Sequence, residues 1–416
     1  MAVAFALLLP LVFLHADYQP SVSVGSATLY LSDVAVLAIG ALGLAAGLRD
    51  GFAPLRRARA IWIAAGAFLG VVLCSNVFGA LTAPSYATGT HFLTAAKLGE
   101  YALLALATPL VLRHVSDLDA PLFSLTAWSA AATTGALLQF LGVVNEFEGR
   151  RPGQREPSFL GIHDLAALSG ATLSIGLLAL ALGRPRRLGV AAGIAGGLGM
   201  ILSGATTAVA GLLAAGAAAC ALGRRRVLAV VAVVAVVAAG VIGIRTLDTR
   251  PLLDALGIER SHDVATDPEV SWQQRFALAY IGGRIFLDHP VFGVGWQASH
   301  DEASYGPYLD DARARFPDVP EVALPAPEHP WGVQNAYVQA AADMGVIGLV
   351  AFLALFLVPL GVAWRGGPGS AVPILWLLIA MGVWLGIGLV AGIPLVGLTW
   401  LSVGLAAASV SWREYR

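Results

Sequence analysis

Apolar runs of about twenty residues recur along almost the whole chain, and only the stretch from about 247 to 334 breaks the rhythm. A run of that length is what a helix needs to cross a bilayer. Lipid offers no partner for a bare N–H or C=O, so the segment must satisfy its own backbone. About twelve such spans can be marked, near 1–15, 31–48, 60–80, 94–112, 121–143, 161–182, 188–203, 205–222, 227–246, 336–363, 371–391 and 393–411. The chain therefore reads as an all-α polytopic membrane protein. Composition agrees: 57% of residues are hydrophobic and 12% charged, about half the charge of a soluble domain. A formal net charge of −1 gives no reason to expect nucleic acid as a partner.

The stretch 188–222 holds two short spans only if Ser203-Gly204 is a turn. The positive-inside rule tests this count. With the N-terminus inside, the inner loops carry Arg49, Arg56, Arg57 and Arg59, then Arg113, then Arg184, Arg186 and Arg187, then Arg224 to Arg226. Arg365, Arg413 and Arg416 complete the set, and the outer loops 16–30 and 81–93 carry no Lys or Arg. Loop 144–160 is the exception, with Arg150, Arg151 and Arg155. Both termini are thus expected in the cytoplasm. Nine spans fill 1–246, a large extracytoplasmic loop occupies 247–335, and three spans fill 336–416. The run from Met1 to Leu14 has no basic n-region and no A-x-A site, so it reads as a membrane helix and not a signal peptide.

Cys74 and Cys220 fall inside apolar runs and read as packing residues. There is no CxxC, HExxH or P-loop pattern. His262, His300, Asp301 and Glu302 form no helical i, i+4 ligand pair, so neither metal nor cofactor is expected. Within the loop, Ser271 to Leu287 has helical periodicity with Phe276, Tyr280 and Phe286, as for a helix lying on a membrane. The segment from Pro317 to Pro330 is expected to lack regular structure. The 48 glycines suit close helix–helix approach in lipid.

A polar cluster, Gln334-Asn335-Ala336-Tyr337-Val338-Gln339, sits at the mouth of the tenth span and runs into Asp343-Met344-Gly345-Val346-Ile347-Gly348. Upstream lies Asp288-His289-Pro290-Val291-Phe292-Gly293-Val294-Gly295. In order and spacing these three segments resemble the O-antigen ligase and polymerase family, over about 270–365. The resemblance implies a GT-C-like membrane glycosyltransferase at the outer face of the bacterial cytoplasmic membrane. Such an enzyme moves a glycan from undecaprenyl diphosphate to an acceptor hydroxyl. Two positions depart from the family pattern. The motif histidine is Gln334, and glutamine cannot take a proton near neutral pH; His329, five residues upstream, is the histidine that could replace it. The arginine after a TGSR-like segment is Thr206, in Leu202-Ser203-Gly204-Ala205-Thr206.

The leaving group of that reaction is a lipid diphosphate. Arginine suits it, because a planar, permanently charged fork binds phosphate oxygens in pairs. Arg275 stands where the family carries a functional arginine and is the first candidate. Arg284, nine residues on, about two and a half turns, is expected near the same face. Lys97, paired with Glu100 at i, i+3, and Arg155 in its arginine-rich loop beside His163-Asp164 are further candidates for the diphosphate. Gln334, Asn335, Tyr337 and Gln339, with His329, form the acceptor side, expected to orient and deprotonate the hydroxyl. Asn335 also fits a helix N-cap, and Tyr337 an aromatic belt. Direct displacement without metal, with inversion, is the expected route. A lipid-linked glycan transporter or a scaffold of polysaccharide assembly is the competing reading. A transporter is expected to show midplane charges and internal repeats, and the chain displays neither.

Overall fold

The computed structural model describes residues 1–24, 27–144, 153–184, 186–247, 268–329, 331–366, 368–389 and 393–412. Arg150, Arg151, Arg413, Arg416 and His262 lie outside the described residues.

Alanine, leucine, valine and glycine dominate the apolar runs, and they fold into helices at each of the twelve expected places. In chain order these are α1 (Ala2–Val12), α2 (Leu31–Asp50), α3 (Arg59–Thr82), α4 (Thr88–Val111), α5 (Asp119–Phe140), α6 (Ile162–Ala181), α7 (Arg187–Ser203), α8 (Thr206–Gly223) and α9 (Val227–Thr246). After them come α10 (Pro268–Asp288), which belongs to the large loop, then α11 (Ala336–Trp364), α12 (Ala371–Val383) and α13 (Ile393–Ser411). An antiparallel hairpin, β1 (Ser21–Val24) and β2 (Ala27–Tyr30), connects α1 to α2.

Among the described residues, α2, α3, α6, α8, α9 and α11 are each long and apolar enough to cross a membrane. Others are shorter. The first run is helical only over the eleven residues Ala2–Val12, roughly 16 Å and half a hydrocarbon core. A 3-10 turn follows at Ala16–Tyr18, where the His15 ring accepts from the Asp17 amide. The break expected at Ser203-Gly204 is present: Gly204 takes a left-handed conformation, φ 58°, between α7 and α8.

Glycine lets the central helices touch backbone to backbone. A Cβ on Gly196 of α7 would fall 2.3 Å from the Leu173 amide nitrogen of α6, and one on Gly382 of α12 would fall 2.3 Å from that of Gly211 on α8. Helix α6 is almost wholly enclosed by its neighbours. Its N-terminus, carrying His163 and Asp164, therefore opens into protein.

The described part of the large loop, from 268 on, packs against α11. Ala277, Leu278, Ile281 and Ile285 form the buried face of α10. Ile281 and Ile285 pack with Tyr305, Ala312 and Ala342, and Ala277 packs with Val319, Ala323 and Leu324. This second cluster orders part of the segment expected to be irregular. Glu321–Ala323 forms a 3-10 turn, and Ala326 pairs with His329 in an antiparallel bridge.

Two of the sequence motifs interlock. Gly345, at φ 66° and ψ −164°, breaks α11 one turn past Ala341 and frees the backbone there. Segment 290–295 docks onto the break. The Val294 amide donates to the Ala342 carbonyl at 3.1 Å, Gly295 to Asp343 at 2.8 Å, and Val346 returns a bond to Pro290 at 2.8 Å. A Cβ on Gly293 would lie 2.3 Å from the Asp343 carbonyl carbon, and one on Gly345 would lie 2.2 Å from the Val291 oxygen. The glycines are there because two backbones meet.

Candidate functional site

The clamp places a buried polar network beneath the large loop. Asp343, on the first segment of the broken α11, is fully buried. Its carboxylate accepts from the Gln297 amide at 3.1 Å, the Ser299 amide at 3.0 Å and the Gln339 Nε2 at 3.0 Å. Gln339 also donates to the Gln297 Oε1 at 3.2 Å, and its own Oε1 accepts from the Leu389 amide at 2.5 Å. A buried carboxylate survives only with such partners. Residues of α3, α4 and the connection between them hold the neighbouring backbone. The Ser75 hydroxyl donates to the Asp343 carbonyl at 3.3 Å, the Tyr86 hydroxyl lies 2.8 Å from the Trp296 carbonyl, and the Trp296 indole donates to Thr94 at 2.9 Å.

Asn335 caps α11, its Oδ1 accepting from the Tyr337 and Val338 amides at 3.1 and 3.2 Å. The Tyr337 hydroxyl donates to the Met381 carbonyl at 2.9 Å, and its ring lies 5.4 Å from that of Phe352. Both residues hold the helix in place. Gln334 is half-buried one residue before the cap.

A second cluster is cationic. The Arg275 guanidinium, on α10, lies 3.3 Å from the His163 Nε2 at the start of α6. Arginine only donates, so that nitrogen accepts. Burial, and then repulsion from Arg245 at the end of α9, hold Arg275 below its ordinary value, at about 10. Arg155 and Arg245 flank one glycine: a Cβ on Gly204 would lie 2.8 Å from the Arg155 Cβ and 3.5 Å from the Arg245 Cγ. A Cβ on Gly386 would lie 2.3 Å from the Thr207 hydroxyl and 3.1 Å from the Arg275 Nη1. The Thr206 and Thr207 hydroxyls are buried without a hydrogen-bond partner among the described residues. Three arginines, a histidine and two free hydroxyls thus converge where α8 begins.

The turn 386–389, between α12 and α13, joins the two clusters. Gly386 faces Arg275, while a Cβ on Gly388 would lie 2.7 Å from the Gln339 Oε1 and 2.9 Å from the Val333 carbonyl oxygen.

Three expected residues stand elsewhere. Arg284 binds Asp311 at 2.9 Å and Tyr280 at 3.2 Å on the exposed side of α10. The expectation of a shared face with Arg275 is corrected by helix geometry: nine residues at about 100° each end half a turn out of register. Lys97 pairs with the buried Asp33, approaches Glu100 at 3.8 Å, and lies over the Tyr30 ring. Its charge compensates that carboxylate. His329 is exposed in its bridged turn, stacked on Trp331 at 6.4 Å. Sequence reasoning did not single out Arg245 for the site. Its signal was available, as an ionisable residue closing the most apolar span. Among the described residues no group of side chains suited to a metal ion occurs.

Residues 190–353 match the family model described as O-antigen ligase. The matched stretch contains Arg245, Arg275, Gln334, Gln339 and Asp343, and leaves Arg155, His163 and the 386–389 turn outside. No curated protein matches the chain.

Proposed function

We propose that this chain, a member of the O-antigen ligase family through residues 190–353, is a membrane glycosyltransferase of the outer face of the bacterial cytoplasmic membrane. Its donor is a glycan on undecaprenyl diphosphate, and its acceptor is a hydroxyl of a second glycan or glycolipid. The observation that carries this reading is the convergence of Arg155, Arg245 and Arg275 on Gly204 and Gly386. Burial, and then the neighbouring Arg245, disfavour the charge on Arg275, a cost that a bound anion would offset.

In this reading the diphosphate lies among those arginines, with the Thr206 and Thr207 hydroxyls donating to its oxygens. The acceptor oxygen attacks the anomeric carbon, the bond from that carbon to the phosphate oxygen breaks, and the electron pair leaves on the diphosphate. The arginines stabilise charge that grows in the transition state. A direct displacement of this kind inverts the anomeric centre. The acceptor approaches past Gln334, on the far side of the 386–389 turn. The cytoplasmic termini and the outer placement of 247–335 belong to the same proposal.

The test is a deletion strain complemented with wild type, Arg275→Ala or Gln334→Ala, from which lipid-linked and surface glycans are extracted and sized. Deletion and Arg275→Ala should both leave short lipid-linked units and no transferred glycan. If Arg275→Ala behaves as wild type while deletion traps glycan on the cytoplasmic side, the transport reading replaces this one.

A further inference from the structure

Gln334 cannot act as a base, so the acceptor side needs another group to take a proton. The geometry points to His300: we infer that its imidazole Nε2 deprotonates the acceptor hydroxyl, an assignment that rests on the transferase reading above.

Four observations carry it. The His300 Nδ1 lies 3.2 Å from the Gln297 carbonyl oxygen. A carbonyl only accepts, so Nδ1 holds the hydrogen and the lone pair sits on Nε2. That nitrogen packs against the backbone of Gly332, in the segment leading to Gln334: a Cβ on Gly332 would fall 1.4 Å from it. The ring therefore occupies the space of a side chain two residues before the acceptor cluster. Asp343 lies within electrostatic reach of the ring and anchors its turn through the Gln297 and Ser299 amides.

The turn itself is strained and underused. Gln297 holds φ at 65°, rare for a residue with a side chain. The Gln297 Nε2 and Ser299 Oγ are buried with no hydrogen-bond partner among the described residues. Buried polar groups without partners are exceptional, and both of these lie within three residues of His300 in the chain. They suit the neighbouring hydroxyls of a sugar. Among the described residues Asp343 from α11 interacts with the ring electrostatically, while Asp301, next in the chain, is paired with His91 at 3.2 Å. His329 has no such setting.

In the step, the acceptor O–H proton passes to Nε2 as the oxygen bonds to the anomeric carbon. The sugar–phosphate bond breaks with its electron pair going to the diphosphate, and the imidazolium then returns its proton to solvent.

The experiment adds purified full-length protein to membranes of the deletion strain, which hold both donor and acceptor, and follows initial transfer rates from about pH 5 to 9. Wild type should show a one-proton acid limb. His300→Gln should lose about 100-fold to 10,000-fold and flatten that limb, while His329→Gln keeps both rate and limb. His300→Gly should recover rate when imidazole is added, which separates lost chemistry from lost fold. A His300→Gln enzyme with wild-type rate and limb overturns the inference. So does a loss that leaves the limb in the residual rate and that imidazole does not restore. Arg275→Ala in the same assay tells the two readings apart. If it is inactive while His300→Gln is active, only the base assignment falls; if it is fully active, the transferase reading falls and takes the assignment with it.

Discussion

Arg275 and Gln339 approach the 386–389 turn from different sides, and their surroundings differ in kind. Gln339 uses each of its own side-chain polar atoms: its amide donates to Gln297 and Asp343, and its oxygen accepts from Leu389. Around Arg275, burial and the neighbouring Arg245 disfavour its charge, and two buried hydroxyls lack partners among the described residues. The first side chain is spent on holding the loop to the broken helix. The second is held at a cost that a bound anion would offset. A motif rich in hydrogen-bonding residues is therefore mainly architecture, and the chemistry falls to side chains that the architecture positions.

The contrast breaks most sharply at Arg275. Arg275→Ala should lower transfer by about 100-fold to 1,000-fold, the size of losing one charge-stabilising donor, with little change in melting temperature. Equal activity in the variant would remove the functional half of the comparison. Asp343→Ala should do the reverse. It leaves the 297–299 turn without its anchor and costs about 1–3 kcal/mol for each buried amide left unpaired, read as a lower melting temperature or poor recovery in detergent. Asp343→Asn should recover part of this, because its Oδ1 keeps an acceptor for one of the two amides.

Gly293→Ala tests the clamp between the motifs. A Cβ at φ 67° aimed at the Asp343 backbone should cost about 1–3 kcal/mol, visible as earlier proteolysis of the large loop. Asn335→Ala sharpens the distinction between cap and catalyst. Loss of the cap should cost about 1 kcal/mol and leave transfer nearly intact; a collapse of transfer at unchanged stability would return Asn335 to the acceptor site. Arg284→Ala, with its ion pair exposed to water, should change neither melting temperature nor rate.

The helices were legible because bilayer thickness fixes their length and lipid fixes their composition. The turn at Gly204 was legible because the arginine count needed it. The loop's position was legible too, but its fold was not. Val319, Ala323 and Leu324 look like scattered apolar residues until Ala277 is brought against them. Arg275 could be nominated from the resemblance; Arg245 offered only an ionisable side chain closing an apolar span, and its neighbours at Gly204 and on α10 are distant in the chain. His300 read as one of a few loop histidines. Its setting depends on Gly332 and Asp343, which only the docking of 290–295 onto the break at Gly345 brings near. Arg284 shows the converse failure, a spacing that places a residue on the opposite face of the helix.

The central claim is that the arginines at Gly204 and Gly386 hold a lipid diphosphate. The most direct measurement is binding of undecaprenyl diphosphate to the purified full-length protein, as wild type, Arg275→Ala, Arg245→Ala and Arg284→Ala. The account predicts saturable binding that weakens at least tenfold with loss of Arg275 or Arg245, as expected for a charged hydrogen bond worth about 1.5–3 kcal/mol, and that is unaffected by loss of Arg284. Equal binding by wild type, Arg275→Ala and Arg245→Ala would contradict it.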